Sequence, residues 1–301
     1  MKPVNSKVAV VGTGVIGAGW ATHFLARGFD VTATDPAPGA EERLRGLVDA
    51  GWPAVEALGL ADGASRDRLH FTTDVAQAVR DALFIQESGP ERLDVKHALI
   101  ATIESAAKAD VLIASSSSGL SVSEIQAGAR HPERIVLGHP FNPPHLIPLV
   151  EVGGGRLTSA ENVSKAMAFY ASTGKKAIRI HKEVKGHIAN RLQVALWQEA
   201  ISLVQRGVAS VEDIDTAISH GPGLRWALLG PFINLHASGG AGASPTCCSI
   251  WELPSANGRA TSAGIRRRTT TSSRLRKASM PNWRVATSPG CCASATSCWS
   301  S

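Results

Sequence analysis

The stretch VAVVGTGVIGAGWATHFLA, residues 8–26, decides the fold. A four-residue apolar run, VAVV, ends in Gly12-x-Gly14-x-x-Gly17 and passes directly into a segment of helical character. The three glycines serve different ends. Gly12 allows a tight turn, Gly14 lets the backbone come close to a phosphate, and Gly17 permits close packing of helix on strand. The same stretch has no acidic or basic residue and follows Lys2 and Lys7, which superficially resembles a secretory signal. Four glycines within eight residues argue against a packed apolar helix there. No other run is long enough to span a bilayer, so a cytoplasmic protein is expected.

A second apolar run, VTAT (31–34), ends at Asp35, eighteen residues beyond Gly17. Free N–H groups at a helix N-terminus receive phosphate oxygens. An acid at this distance accepts hydrogen bonds from an adenosine ribose and repels a 2′-phosphate. The expected cofactor is therefore NAD rather than NADP, held by Gly12, Thr13, Gly14, Val15, Ile16, Gly17 and Asp35.

Further short apolar runs continue the pattern: ALFIQ (82–86), VLIAS (111–115), IVLG (135–138), LVEV (149–152) and AIRI (177–180), separated by segments of helical length. Near-continuous apolar strands alternating with helices imply a parallel sheet covered on both faces. The expected class is α/β, a doubly wound (Rossmann) parallel-sheet domain over residues 1–186, followed by a smaller all-helical domain. In HIANRLQVALWQEAISLVQRG (187–207), Ile188, Leu192, Leu196 and Leu203 share one face and Gly207 stands at the C-cap. A second helix is expected to begin after Ser210, with Asp213 completing a capping box.

Charge and cysteine content are uneven along the chain. Of 31 Lys/Arg and 25 Asp/Glu, residues 238–301 hold eight and one, which leaves 23 and 24 in the first 237. The overall excess of six positive charges therefore says nothing of the body of the protein, and neither nucleic acid nor a membrane is expected as partner. All five cysteines also lie in the last 64 residues, and neither CxxC nor HExxH occurs, so no metal site is expected.

The segment VLGHPFNPPHLIPLVEV (136–152) raises a different question, because it puts an imidazole, His139, and a carboxylate, Glu151, at the ends of two apolar strands. Residues just beyond the later strands of such a sheet point into the crevice that holds the nucleotide, and Ser118 and His139 each follow one.

IASSSSGL (113–120), GHPFNPPHLIPLVEV (138–152), VKGHIANRL (184–192) and VASVEDIDTAISHGPGLRWALLGP (208–231) together resemble the 3-hydroxyacyl-CoA dehydrogenase family over residues 7 to about 240. GPGLRWALLGP is most similar to those members that act on L-carnitine. The resemblance implies that His139, twelve residues from Glu151, is the general base for a hydroxyl proton while hydride leaves the same carbon. Glu151 would hold the other ring nitrogen and stabilise the imidazolium. Ser118 and Asn190 match residues that hold the substrate oxygen, although a strand-end turn and a first-turn helix position explain them as well. Glu91 and Lys96 match positions near the nicotinamide half of NAD and read equally as a solvated helix face.

L-carnitine carries a quaternary ammonium, which pairs with aromatic faces at roughly 0.5–2 kcal/mol each, and a carboxylate, which pairs with arginine. Phe141 and Trp226 are the aromatic candidates and Arg225 the cationic one, while Trp197 reads better as packing. The expected reaction is NAD-dependent oxidation of L-carnitine to 3-dehydrocarnitine, with a homodimer implied by the resemblance. Oxidation of a 3-hydroxyacyl-CoA, an L-gulonate 3-dehydrogenase of the lambda-crystallin type and a non-catalytic NAD-binding structural protein are the alternatives.

The last 64 residues do not continue this pattern. Leu, Ile, Val and Phe number five there, about 8%, while Ser and Thr number twenty and Asp and Phe are absent. That is too little apolar content for a core. A burst of Cys, Trp, Arg, Ser and Thr almost without acids is what a GC-rich gene gives out of frame, so residues 238–301 are expected to be a frameshifted translation. The alternative is a genuine basic tail. On the frameshift reading the second domain lacks half its core, and the chain should dimerise poorly or aggregate. Translating the coding sequence in the other two frames from about codon 238 should give leucines and acids at helical spacing in one of them. If neither frame does so, the tail is genuine.

Overall fold

A computed structural model describes residues 6–237, so the anomalous tail lies outside the described residues. The elements run β1 (Lys7–Val11), α1 (Val15–Ala26), β2 (Asp30–Thr34), α2 (Ala40–Ala57), β3 (Leu69–Thr72), α3 (Val75–Val79), β4 (Phe84–Glu87), α4 (Leu93–Ala106), β5 (Leu112–Ser115), α5 (Val122–Ile125), β6 (Ile135–Pro140), β7 (Leu149–Gly154), α6 (Ala160–Ser172), β8 (Lys176–Arg179), α7 (Ala189–Gln205), α8 (Val211–Ser219) and α9 (Pro222–Ala237). The strands form one eight-stranded sheet in the order β3-β2-β1-β4-β5-β6-β7-β8. Every predicted apolar run is a strand. β3 has no such signal in the sequence, since LHFT is short and interrupted by His70.

The sheet is not parallel throughout. β1 to β6 pair parallel, but β7 runs antiparallel to β6, and β8 is parallel to β7. The cause is the connection: residues 141–148 contain no helix, so the chain cannot cross over the sheet and has to return beside the strand it left.

Alternation along each strand sends side chains to two cores. Val8 and Val10 pack with Trp20, Phe24 and Tyr170 on one face; Ala9 and Val11 pack with Ile85, Ile100 and Ile103 on the other. On the first face the Phe84 and Phe169 rings stack with centroids 3.7 Å apart. α1 lies in this core with all residues from Gly17 to Ala26 buried, which corrects the expectation that its glycines would prevent a packed apolar helix. They permit it: a Cβ on Gly19 would stand 2.5 Å from Pro144 Cδ, so the bare Cα is what admits the 141–148 loop.

The chain divides into two compact units between Glu199 and Ala200, within α7. In the second unit α8 starts with the predicted box, Ser210 Oγ accepting from the Asp213 N–H while Asp213 accepts from the Ser210 N–H. α9 comprises two helical pieces that meet at Gly230, whose φ of 73° precedes Pro231. Gly207 takes φ 68° after α7, as a C-cap glycine does. No side chain of α7 or α8 is buried, and Leu192 of the predicted apolar face is exposed.

The three glycines after β1 differ in what surrounds them. A Cβ on Gly17 would lie 1.9 Å from the Gly12 carbonyl oxygen, and one on Gly12, at φ 90°, would lie 2.6 Å from the Ser88 carbonyl oxygen. A Cβ on Gly14 would meet nothing within 4 Å. Gly17→Ala should therefore lower the melting temperature by several degrees, from about 1–3 kcal/mol of overpacking or more. Gly14→Ala should leave it within about 1 °C and cost dinucleotide affinity instead, measured by NAD titration. Equal melting temperatures for the two variants would contradict this division of roles.

Candidate active site

The antiparallel register answers the question raised by residues 136–152. His139 of β6 stands directly opposite Glu151 of β7, which makes a spacing of twelve in sequence a cross-strand pair. His139 Nδ1 is 2.8 Å from Glu151 Oε2, with the two side chains 4% and 0% exposed. The other carboxylate oxygen accepts from the backbone N–H groups of Ile188 and Ala189, each at 2.9 Å. Burial works to raise the Glu151 pKa, but the bond from His139 and the two backbone donors outweigh it and hold the group below the ordinary carboxylate value. An ionised carboxylate only accepts, so the proton of the His139 pair sits on Nδ1. In the neutral ring Nε2 is then an acceptor, and Ser118 Oγ lies 3.0 Å from it.

Asn190 occupies the first turn of α7, one residue beyond the Ala189 N–H that binds Glu151. The Phe141 ring meets the His139 ring edge-on, with centroids 5.5 Å apart. The loop that carries Phe141 is held by Lys175, whose ammonium donates to the carbonyls of Pro144 and, at 2.9 Å, Ile147. Burial, with a smaller effect from the nearby charge of Arg27, lowers the Lys175 pKa to about 8. Trp197 is exposed on α7 and so is not core packing. Arg225 and Trp226 lie in the second unit, on α9, and both are exposed.

At the other end of the crevice the residues after β1 fit a dinucleotide. No side chain caps the N-terminus of α1, no acid stands in its first turn, and the Cα of Gly14 faces open space. These are the conditions under which backbone N–H groups bind a pyrophosphate. Asp35 is held in place by hydrogen bonds from Thr13 N–H at 2.9 Å, Thr13 Oγ1 at 3.1 Å and Ala37 N–H at 3.0 Å.

Lys96 is not on a solvated helix face. It is 1% exposed and forms an ion pair with the fully buried Glu87, donating at 2.9 Å to both carboxylate oxygens and at 3.3 Å to the Gly89 carbonyl. Three acceptors use all three ammonium protons, so Lys96 has none left for a ligand and acts by fixing the loop after β4. Glu91, in that loop, accepts from Ser117 Oγ at 2.6 Å and from the N–H groups of Gly119 and Leu120. Burial opposes its ionisation, yet those three bonds and the charge of Lys96 hold its pKa below the ordinary value. Glu91 thereby shapes the turn that presents Ser118.

Sequence reasoning misses Glu87 and His187. Glu87 closes a strand of buried residues and also accepts from Ser115 Oγ at 2.6 Å and the Gly89 N–H at 2.7 Å. An acid ending an apolar run nine residues before a lysine is its only signal. His187 is 6% exposed, and its ring centroid lies 4.8 Å from that of His139.

Residues 7–184 match the profile of the 3-hydroxyacyl-CoA dehydrogenase NAD-binding domain, and residues 186–275 that of the family's C-terminal domain. The chain is 56% identical to an L-carnitine dehydrogenase of Streptomyces griseus over 236 residues, 78% of this chain and 70% of that protein. It is 53% identical to one of Bacillus cereus over 234 residues, 78% of this chain and 72% of that protein. Among solved structures it is similar to the NAD+-dependent 5-formyl-3-hydroxy-2-methylpyridine 4-carboxylic acid 5-dehydrogenase, with a TM-score of 0.73 and 36% identity over 78% of this chain and 77% of that one. Two consecutive domain profiles and this level of identity converge on one conclusion: the chain belongs to the 3-hydroxyacyl-CoA dehydrogenase family and is an NAD-dependent oxidoreductase.

Proposed function

We propose that this chain oxidises the 3-hydroxyl of L-carnitine to 3-dehydrocarnitine. Identity of 50–56% to L-carnitine dehydrogenases of several bacteria supports the substrate. The observation that carries the chemistry is the chain of contacts from Ser118 through His139 to Glu151.

The substrate hydroxyl takes its place against both Ser118 Oγ and His139 Nε2, and Asn190 helps to hold the oxygen. His139 removes the hydroxyl proton, and the imidazolium that results faces a carboxylate already ionised and already bonded to its other nitrogen. No charge has to be desolvated during the reaction, because Glu151 is buried beforehand. NAD, when bound along Gly12 to Gly17 with its ribose on Asp35, supplies the acceptor for the hydride that leaves C3. Glu91 and Lys96 shape the loops near the nicotinamide. Phe141, edge-on to His139, offers an aromatic face for the trimethylammonium group, while the sequence candidates for that cation and for the substrate carboxylate, Trp226 and Arg225, belong to the second unit.

Residues 1–186 form the NAD-binding domain and residues 187–237 begin the helical substrate and dimerisation domain of a cytoplasmic homodimer. Among the described residues no helix is long and apolar enough to cross a membrane. Residues 238–301 are out of frame on this reading, supported by their composition. The family's C-terminal profile reaches residue 275, which weighs the other way.

NADH production should be seen with L-carnitine and be at least about tenfold faster, as kcat/KM, than with 3-hydroxybutyryl-CoA or L-gulonate. His139→Ala should abolish turnover while NAD still binds, because the residues that hold NAD come from positions 12–35. A preference for either of the other substrates would reject carnitine, and loss of NAD binding in the variant would reject the assignment of roles.

A further inference from the structure

His187 is the only residue other than glycine with a left-handed backbone among the described residues, at φ 53°, directly after Gly186 at φ 76°. A residue with a Cβ is strained in that conformation, and glycine would adopt it freely. The chain nonetheless keeps a large side chain there, almost wholly buried. Its contacts show what the side chain does. Nε2 donates to the Ser117 carbonyl at 3.0 Å, and the left-handed corner sends the next two N–H groups, of Ile188 and Ala189, to Glu151. Ser117 precedes Ser118, whose hydroxyl meets His139. One residue thus joins the turn that carries Ser118 to the segment that anchors Glu151.

The protonation state follows from the surroundings. The Ser117 carbonyl only accepts, so Nε2 carries a proton. Burial lowers the His187 pKa, assisted by the positive charge His139 acquires when protonated; the Ser117 carbonyl, Glu151 and Glu91 oppose this without reversing it. These are the groups that face it from β6, β7, the turn after β5 and the loop after β4. The balance of these groups favours the neutral ring, the more so when His139 takes a proton.

We propose that His187 is a positioning residue for the oxidation: its imidazole ties the Ser117–Ser118 turn to the start of α7 and so keeps Ser118 on His139 through the proton transfer. The proposal takes its substrate from the carnitine reading but concerns a contact that any 3-hydroxy substrate of this site would use.

The test compares His187→Phe and His187→Gln with the wild type in the full chain. Phe keeps a ring of similar size and cannot donate; Gln can place an N–H near the position of Nε2. With L-carnitine, kcat should fall about tenfold or more in the Phe variant, with the KM for NAD within about twofold, and Gln should recover most of the loss. A residue that only packs would give the reverse order, with Phe near wild type and Gln defective, and that result would overturn the proposal. In parallel, long-range proton–nitrogen NMR of the histidine-labelled wild type should show His187 as the predominantly neutral Nε2–H tautomer from pH 8 down to pH 6.5, the ordinary midpoint. An Nδ1–H tautomer, or a ring that is mainly imidazolium in that range, would overturn it as well. The NMR reading requires no substrate and no variant, so it stands if a variant is unstable. Should the wild type oxidise 3-hydroxybutyryl-CoA or L-gulonate instead of carnitine, only the substrate reading falls, and the variants are compared on the substrate it does use.

Discussion

The structure around the site depends on one constraint, the burial of the Glu151 carboxylate. An ionised carboxylate without solvent is tolerable only when each oxygen is bonded, and the penalty for leaving it bare is several kcal/mol. Oε2 is served by His139 and Oε1 by two backbone N–H groups at the start of α7. The first partner requires that β7 return antiparallel beside β6 in a single register, since a slip of one residue would turn Glu151 to the opposite face. The second requires the left-handed corner at Gly186 and His187. A hairpin, a corner and a helix start are thus fixed by one charge.

The cofactor side of the crevice is organised by a second buried acid, Glu87, in the same manner. Here the strand order reverses, with β2 on one side of β1 and β4 on the other. Such a switch point leaves a crevice beyond the strand ends, where ligands bind in open α/β sheets. Gly12 lies close against the residues after β4, whose loop is held from behind by the pair of Glu87 and Lys96. Since the ion pair is wholly buried, its contribution is to geometry more than to net stability.

Much of this is legible in the sequence, and the exceptions have physical reasons. The glycine pattern, Asp35, the apolar runs and the Ser210 capping box are local signals, and each corresponds to the element it predicts. The direction of β7 is not legible as such, because an apolar run looks the same whichever way it runs. Lys96 admits two equal readings in sequence, since a buried lysine and a solvated one are the same letter until the acid behind it is located. The backbone donors to Glu151 are invisible to any reading of side chains: they belong to Ile188 and Ala189, which have no polar group of their own. His187 has one faint signal, an imidazole directly after a glycine, in a segment otherwise read for its apolar spacing.

The state of the Glu151 carboxylate is therefore the most direct test. Because its pKa in the folded chain is depressed, it contributes stability above the ordinary value of 4.5 that is lost as pH falls through the lower folded value. Carbon-13 NMR of the glutamate-labelled protein, with Glu151 assigned by Glu151→Gln, reads that ionisation in the folded state. The account predicts a carboxyl carbon still in its ionised position at pH 4.5, the ordinary midpoint. A carboxyl that titrates at or above that pH would mean that burial outweighs its partners, and would contradict the account.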